Sequence, residues 1–112
     1  MGELSTTRID KRQLSLYTLP VIVSFKHRGL KRLAEQGDRS KIRGDLADKI
    51  ERILSMLDAA TTPQALDLPG YRLHRLKGDL KGYWSVTVRA NWRIIFRFEN
   101  GEAHDVELVD YH

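Results

Sequence analysis

Apolar positions along this chain follow two rhythms, a helical one in the first half and an alternating one in the second. Before either is established, the β-branched run Val21, Ile22 and Val23 within Leu19 to Ser24 predicts an opening strand. Between about His27 and Gln36, Leu30, Leu33 and Ala34 share one stripe while Lys31 and Arg32 face outward, which predicts a short helix ended by Gly37. Asp38 or Ser40 then stands where a second helix needs its N-cap. That helix, about Lys41 to Leu57, has the strongest periodicity in the chain, with Ile42, Leu46, Ile50, Ile53, Leu54 and Leu57 on one face. Asp45 with Lys49 and Asp48 with Arg52 are spaced as i,i+4 ion pairs, each worth roughly 0.2–0.5 kcal/mol.

From Asp58 to Gly70 both rhythms stop, in a loop that closes on the turn pair Pro69-Gly70. Leu73 to Val86 then reads as strand, turn, strand, punctuated by Gly78 and Gly82. Trp84, Val86 and Val88 alternate with Ser85, Thr87 and Arg89, and Trp92, Ile94, Phe96 and Phe98 alternate with Arg93, Ile95 and Arg97. One face is therefore core and the other basic and polar. Arg89-Ala90-Asn91 must turn the chain without the favoured residues, Asn100-Gly101 turns it with them, and a last strand runs from about Ala103 to Val109. The whole predicts an α+β domain in which two N-terminal helices pack on a small, mainly antiparallel sheet, in the order β-α-α-β-β-β-β.

At 112 residues there is room for one such domain, spanning 21–112, preceded by a flexible extension over 1–20 that shows no sustained period. The net charge of +4 favours a phosphate- or carboxylate-bearing partner and says nothing of fold. No cysteine is present, so disulfides and thiolate zinc sites are excluded. His27, His74, His104 and His112 lack the carboxylate spacing of a helical zinc motif, so no metal or other cofactor is expected. The longest apolar run, Leu19 to Val23, is too short to span a bilayer or to form a signal-peptide core, which predicts a cytoplasmic protein with no membrane partner.

The chemistry left to the chain is that of imidazoles, phenols, carboxylates and cations, which suits RNA cleavage. RNA carries its own nucleophile in the 2′-hydroxyl, so an enzyme need only remove that proton, stabilise charge on the phosphate and protonate the leaving 5′-oxygen. His74 and the terminal Asp110-Tyr111-His112 can act as acids or bases if the last strand ends beside the strand of His74. Arg93, Arg97 and Lys77 are candidates for the phosphate, with Lys81 and Arg89 as further RNA-binding cations, and Tyr83, Tyr111 or Trp84 offer rings for stacking bases. Taken singly, a histidine in a strand is usually a surface or core residue, Trp84 and Trp92 suit the core, and His27 and His104 read as scattered surface histidines.

Taken together, SFKHRGLKRL from Ser24, LPGYRLHRLKGDLKGYWSV from Leu68, NWRIIFRF from Asn91 and the terminal DYH resemble the HigB branch of the RelE/ParE-like toxins of bacterial toxin–antitoxin modules. The resemblance covers Val21 to His112 and implies a RelE-like twisted sheet carrying two helices. It also implies a ribosome-dependent, metal-independent endoribonuclease that cuts translated mRNA, held by a helix-turn-helix, HigA-like antitoxin through which alone it meets operator DNA. The family's catalytic residues fall on His74, Arg93, Asp110, Tyr111 and His112. Arg75 replaces a frequent proline, Arg89-Ala90 a more turn-like pair and His104 a common tyrosine, none of them catalytic. A gyrase-inhibiting, ParE-like binding protein without nuclease activity, or a plain nucleic-acid-binding module, are the other functions compatible with the basic sheet face.

Overall fold

The computed structural model describes residues 22–111, so the expectations for the extension 1–20, for Val21 and for His112 lie outside the described residues. Within them, helices α1 (Arg28–Gln36) and α2 (Gly44–Ala59) precede strands β1 (His74–Arg75), β2 (Trp84–Arg89), β3 (Trp92–Glu99) and β4 (Glu102–Asp110). The four strands form one antiparallel sheet in the order β1-β2-β3-β4. The predicted opening strand survives as an extended segment running parallel to β4. Val23 N–H donates to the Ala103 carbonyl at 2.8 Å, Val106 N–H to Ser24 at 3.0 Å and Lys26 N–H to Val106 at 2.8 Å, with one bridge, Phe25 to Val106.

The predicted stripes meet in one core. Leu30 and Leu33 of α1 and Leu46, Ile50, Ile53, Leu54 and Leu57 of α2 are buried against Val86, Val88, Ile94, Phe96, Ala103 and Val106 of the sheet. Trp84, Trp92 and Phe98 pack on its margin, as their alternation requires. Leu66 adds a fully buried side chain from a short 3₁₀ turn, Pro63–Leu66, inside what the sequence shows only as loop.

Helix ends differ from expectation in informative ways. Helix α1 is capped by His27, whose Nδ1 accepts from the Leu30 N–H at 3.1 Å, a role that the spacing of apolar residues does not reveal. Gly37 ends it at φ 69°, returning its N–H to the Leu33 carbonyl at 3.0 Å. Neither Asp38 nor Ser40 caps α2: Asp38 accepts from the Ser40 N–H and from Arg32, both at 2.9 Å, and is used up in the connection. Helix α2 starts three residues later than predicted with Arg43 at its cap and no side-chain hydrogen bond, while Ile42 is buried in the turn before it. The i,i+4 ion pairs are replaced as well: Asp45 takes Arg43 at 2.7 Å, and Asp48 takes Arg39, which also reaches Glu51 at 2.7 Å.

Three places in the sheet take a left-handed backbone, one of them Ala90 at φ 52° in the β2–β3 turn. The β3–β4 turn has Asn100 at φ 55° and Gly101 at φ 75°, the conformation expected of an Asn-Gly hairpin. Farther along β4, the pairing shifts between Ile95 and Arg97, where Asp105 adopts φ 54° and donates its N–H to Ser24 Oγ at 2.9 Å. Ser24 thereby ties the opening segment to the bulge.

Ile50 is fully buried between helix and sheet, and Ile50→Ala should cost about 2–5 kcal/mol in denaturant unfolding. Asp38 gives a pH-dependent counterpart. The Ser40 amide, then the Ser40 and Arg32 side chains, lower its carboxyl from 3.8 to about 2. Its folded-state value lies below the unfolded one, so its contribution is present above pH 4 and is lost as the pH falls towards about 2. Asp38→Asn should flatten that limb of an acid-denaturation curve.

Candidate active site

Residues directly opposite one another in an antiparallel sheet share a face, so the strand register builds the site before any side-chain contact is considered. His74 pairs with Ser85, Ser85 with Ile95 and Ile95 with Glu107, which places these four in one row across the sheet. Thr87, Arg93 and Val109 form the next row on the same face. The helices cover the opposite face, so His74 and Arg93 look out together from the uncovered one.

This face has a small apolar floor of its own. Leu76, Tyr83 and Ile95 are buried in it, with Leu80 and Val109 packed alongside. The strand β1 is short, but Leu76 N–H continues its pairing to the Tyr83 carbonyl at 2.9 Å before Gly78 at φ 66° and Gly82 at φ 97° turn the chain. Lys77 and Lys81 flank the 3₁₀ turn Gly78–Leu80 and are exposed.

His74 is exposed above this floor with one ring nitrogen committed. Its Nδ1 lies 2.8 Å from the Arg72 carbonyl. A carbonyl can only accept, so Nδ1 carries the proton and the neutral ring presents a bare Nε2 to solvent. Arg72 aims that carbonyl from φ 53°, a strained conformation for arginine, and the preceding Tyr71 carbonyl is held by the Thr87 N–H at 2.7 Å. Pro69-Gly70 starts this arrangement, with Gly70 at φ 85° and the Tyr71 N–H bonded to Leu68 at 3.0 Å.

Arg93 is held by neutral groups. It donates to Thr87 Oγ1 at 2.6 Å, and its guanidinium carbon lies 5.8 Å from the centre of the Tyr111 ring. The Tyr111 N–H donates to the Asn91 carbonyl at 2.7 Å and keeps the chain end over β3. Among the described residues, buried Arg93 Nε and Ser85 Oγ have no hydrogen-bond partner, so the face holds two unsatisfied polar atoms beneath its surface.

The other predicted site residues are placed differently. Asp110 pairs with Trp92 and therefore lies on the helix side, where its charge acts on Arg43. Arg89 also pairs with Trp92 and reaches Asp45 of α2 at 3.6 Å. Arg97 shares the face of Arg93 but donates to Asp105 at 2.8 Å and to Glu99, which offset its charge. That guanidinium, assisted by Ser24, lowers the Asp105 carboxyl below its ordinary range. Of the three predicted stacking rings, Tyr83 is buried in the floor and Trp84 faces the helix side beneath Arg75, leaving Tyr111, 45% exposed, as the accessible one. His104 is half-buried opposite Arg97, with Nε2 unpartnered, and is not a surface histidine.

Sequence periodicity put Thr87 on the polar face without showing that it stands opposite Arg93, and it missed Glu107 and Lys26 as members of this face. Lys26 extends from beside β4 until its ammonium lies 5.4 Å from the Tyr83 ring centre, and hydrogen bonding to Tyr83 raises it above its ordinary value. Among the described residues no group of three or more His, Cys, Asp or Glu is placed to hold a metal ion, and no helix is long and apolar enough to cross a membrane.

Two helices on one side of an antiparallel sheet, with an open basic face on the other, define a small RelE-like α+β toxin fold. The YoeB dimer from Staphylococcus aureus has that fold, with a TM-score of 0.52 at 16% identity over 82% of this chain and 97% of that one. Residues 23–112 match the family described as the RelE-like toxin of type II toxin-antitoxin system HigB. The endoribonuclease HigB of Proteus vulgaris is 50% identical over 92 residues, 82% of this chain and 100% of that protein. Toxin HigB-1 of Vibrio cholerae is 34% identical over 88 residues, 77% of this chain and 93% of its own. The chain belongs to the HigB-like toxin family, and its partner is accordingly a cognate antitoxin.

The ring tautomer can be checked directly. In ¹⁵N NMR of the neutral His74 ring, Nδ1 should give the protonated-type shift and Nε2 the bare-nitrogen shift; the reverse assignment would remove the Arg72 carbonyl as its orienting group.

Proposed function

We propose that this protein is a toxin endoribonuclease that cuts mRNA on the translating ribosome. The observation that carries the reading is the shared face of His74 and Arg93, an oriented imidazole and a guanidinium with no carboxylate partner among the described residues, on an open sheet. The Proteus relative's name, endoribonuclease, supports the reaction class.

In the proposed reaction a base takes the proton of the RNA 2′-hydroxyl, O2′ bonds to the adjacent phosphorus, and the bond from phosphorus to the 5′-oxygen breaks. The leaving oxygen takes a proton from an acid, giving a 2′,3′-cyclic phosphate and a 5′-hydroxyl. His74 Nε2 serves as one proton-transfer group and His112 as the other. Arg93 stabilises the phosphorane, since its charge is fixed by Thr87 and Tyr111 without being neutralised by either. Tyr111 stacks on a base next to the cut, and Lys77 and Lys81 bind phosphates from the exposed turn. Asp110 acts as a positioning residue: from the helix side it orients the end of β4, which keeps Tyr111 over β3. Arg97, paired with acids, contributes to RNA binding through the field of the face, whereas Arg89, turned to the helix side beside Asp45, stands outside that face.

The partner that restrains this activity is a HigA-like helix-turn-helix antitoxin, and operator DNA is contacted only through it. The protein works in the cytoplasm, where translated mRNA is found.

On induction in cells, mapped mRNA 5′ ends should accumulate at codon-linked positions and growth should stop. His74→Ala and Arg93→Ala should each lower cleavage by about 10²–10⁴-fold with the fold intact. Full toxicity in both variants would exclude the site. Intact message with DNA breaks would mean a gyrase inhibitor instead.

A further inference from the structure

At the start of α1 a cleft of about 560 Å³ is lined by Lys26, His27, Arg28, Gly29, Arg32 and Lys41, with no carboxylate among the lining residues. Like charges repel, so gathering four cations there opposes folding unless something holds them together. Gly29 does so by close packing: a Cβ at that position would lie 2.9 Å from both His27 Cε1 and Lys41 Cβ, so a side chain there would push Lys41 off the helix start. His27 contributes a donor as well. Its Nδ1 is occupied in accepting from the Leu30 N–H, so the neutral ring carries its proton on Nε2. The first turn of α1 contains no acidic residue to offset these charges.

Arg32 is offset by Asp38 at 2.9 Å and Lys26 leans over Tyr83, which leaves Arg28 and Lys41 as exposed cations without a partner among the described residues. The larger groove on the helix side has the opposite character, with Glu35, Asp48, Glu51 and Asp58 on its lining against Arg52. A polyanion is thus repelled from one side of the helices and attracted to the other.

The basic cleft is continuous with the active face. Lys26 lines the cleft, and its ammonium lies over Tyr83 in the apolar floor. Tyr83, just before β2, is two residues from Ser85, the partner of His74, a separation of about 7 Å. We propose that this cleft is a second phosphate-binding subsite, in which Arg28 and Lys41 hold a backbone phosphate of the RNA strand being cut, a few nucleotides from the scissile bond. The inference rests on the endoribonuclease reading and adds to it where the substrate strand runs.

The test uses the full chain and a single-stranded, fully 2′-O-methylated RNA of about ten nucleotides, which has no 2′-hydroxyl to attack. Kd is measured across a salt series for the wild type, for Arg28→Ala/Lys41→Ala and for Lys31→Ala, an exposed α1 cation outside the cleft. Each phosphate contact contributes roughly 0.7 to the slope of log K against log salt for a single strand, so the double variant should lose about 1.4 and bind on the order of tenfold more weakly. Lys31→Ala should change neither markedly. With unmodified message the double variant should raise KM and leave kcat and the cut positions unchanged.

An unchanged slope in the double variant overturns the subsite while leaving the cleavage reading intact, because cleavage is scored separately on unmodified message. An equal loss in Lys31→Ala reduces the effect to net charge and also overturns it, as does failure of the wild type to bind the oligonucleotide. Loss of affinity for message-free ribosomes with oligonucleotide binding retained would assign the cleft to ribosomal RNA and would likewise refute the proposal.

Discussion

Burial of Val86, Val88, Ile94, Phe96, Ala103 and Val106 beneath the two helices sets the register on which everything else depends. Each of the valines, Ile94 and Phe96 contributes about 1.5–3 kcal/mol when fully removed from water, and Ala103 less. Because side chains alternate along a strand, that burial sends Thr87, Arg93, Ile95 and Arg97 to the far face. A slip of one residue between β2 and β3 would bring guanidinium groups into the core and expose Ile94 and Phe96. The energy that holds the fold therefore also holds the site, and a core mutation that loosens register would scatter His74 and Arg93 together.

The uncovered face is not simply a basic surface. Its floor of Leu76, Tyr83 and Ile95 excludes water under the polar groups, and the cations around it fall into two kinds. Arg97 is offset by Asp105 and Glu99 and serves to fasten the β4 bulge. Arg93 is held instead by a hydroxyl and an aromatic ring, which fix its direction without cancelling its charge. An oriented guanidinium with no carboxylate partner among the described residues, beside a low-dielectric floor, is costly to the free protein. The strained Arg72 carbonyl that sets the His74 tautomer is a similar local cost placed beside the candidate site.

Electrostatics also divides the molecule. Carboxylates collect on the groove between α1 and α2, while the open sheet face and the start of α1 share Lys26 as a common member. The same short helix thus borders an acidic surface on one side and a basic cleft on the other. Residues of one element acquire opposite neighbourhoods according to the helix face that they occupy.

Period and turn chemistry were enough to read the two helices, the Asn100-Gly101 hairpin, the core faces of β2 and β3 and the α+β class from the chain alone, because these depend on neighbours within a few positions. The candidate residues His74, Arg93 and Tyr111 were legible through residue type and family resemblance, but not their common face, which required pairings across β1, β2 and β3. Long-range pairing also corrected the rest. It turned Asp110 and Arg89 to the helix side, brought Asp105 to Arg97 and buried Tyr83, whereas the His27 cap is a local contact that apolar spacing does not mark. Sequence spacing specifies which side chains of one element share a face; only the packed chain specifies which faces meet, since burial and charge pairing act between residues far apart in sequence.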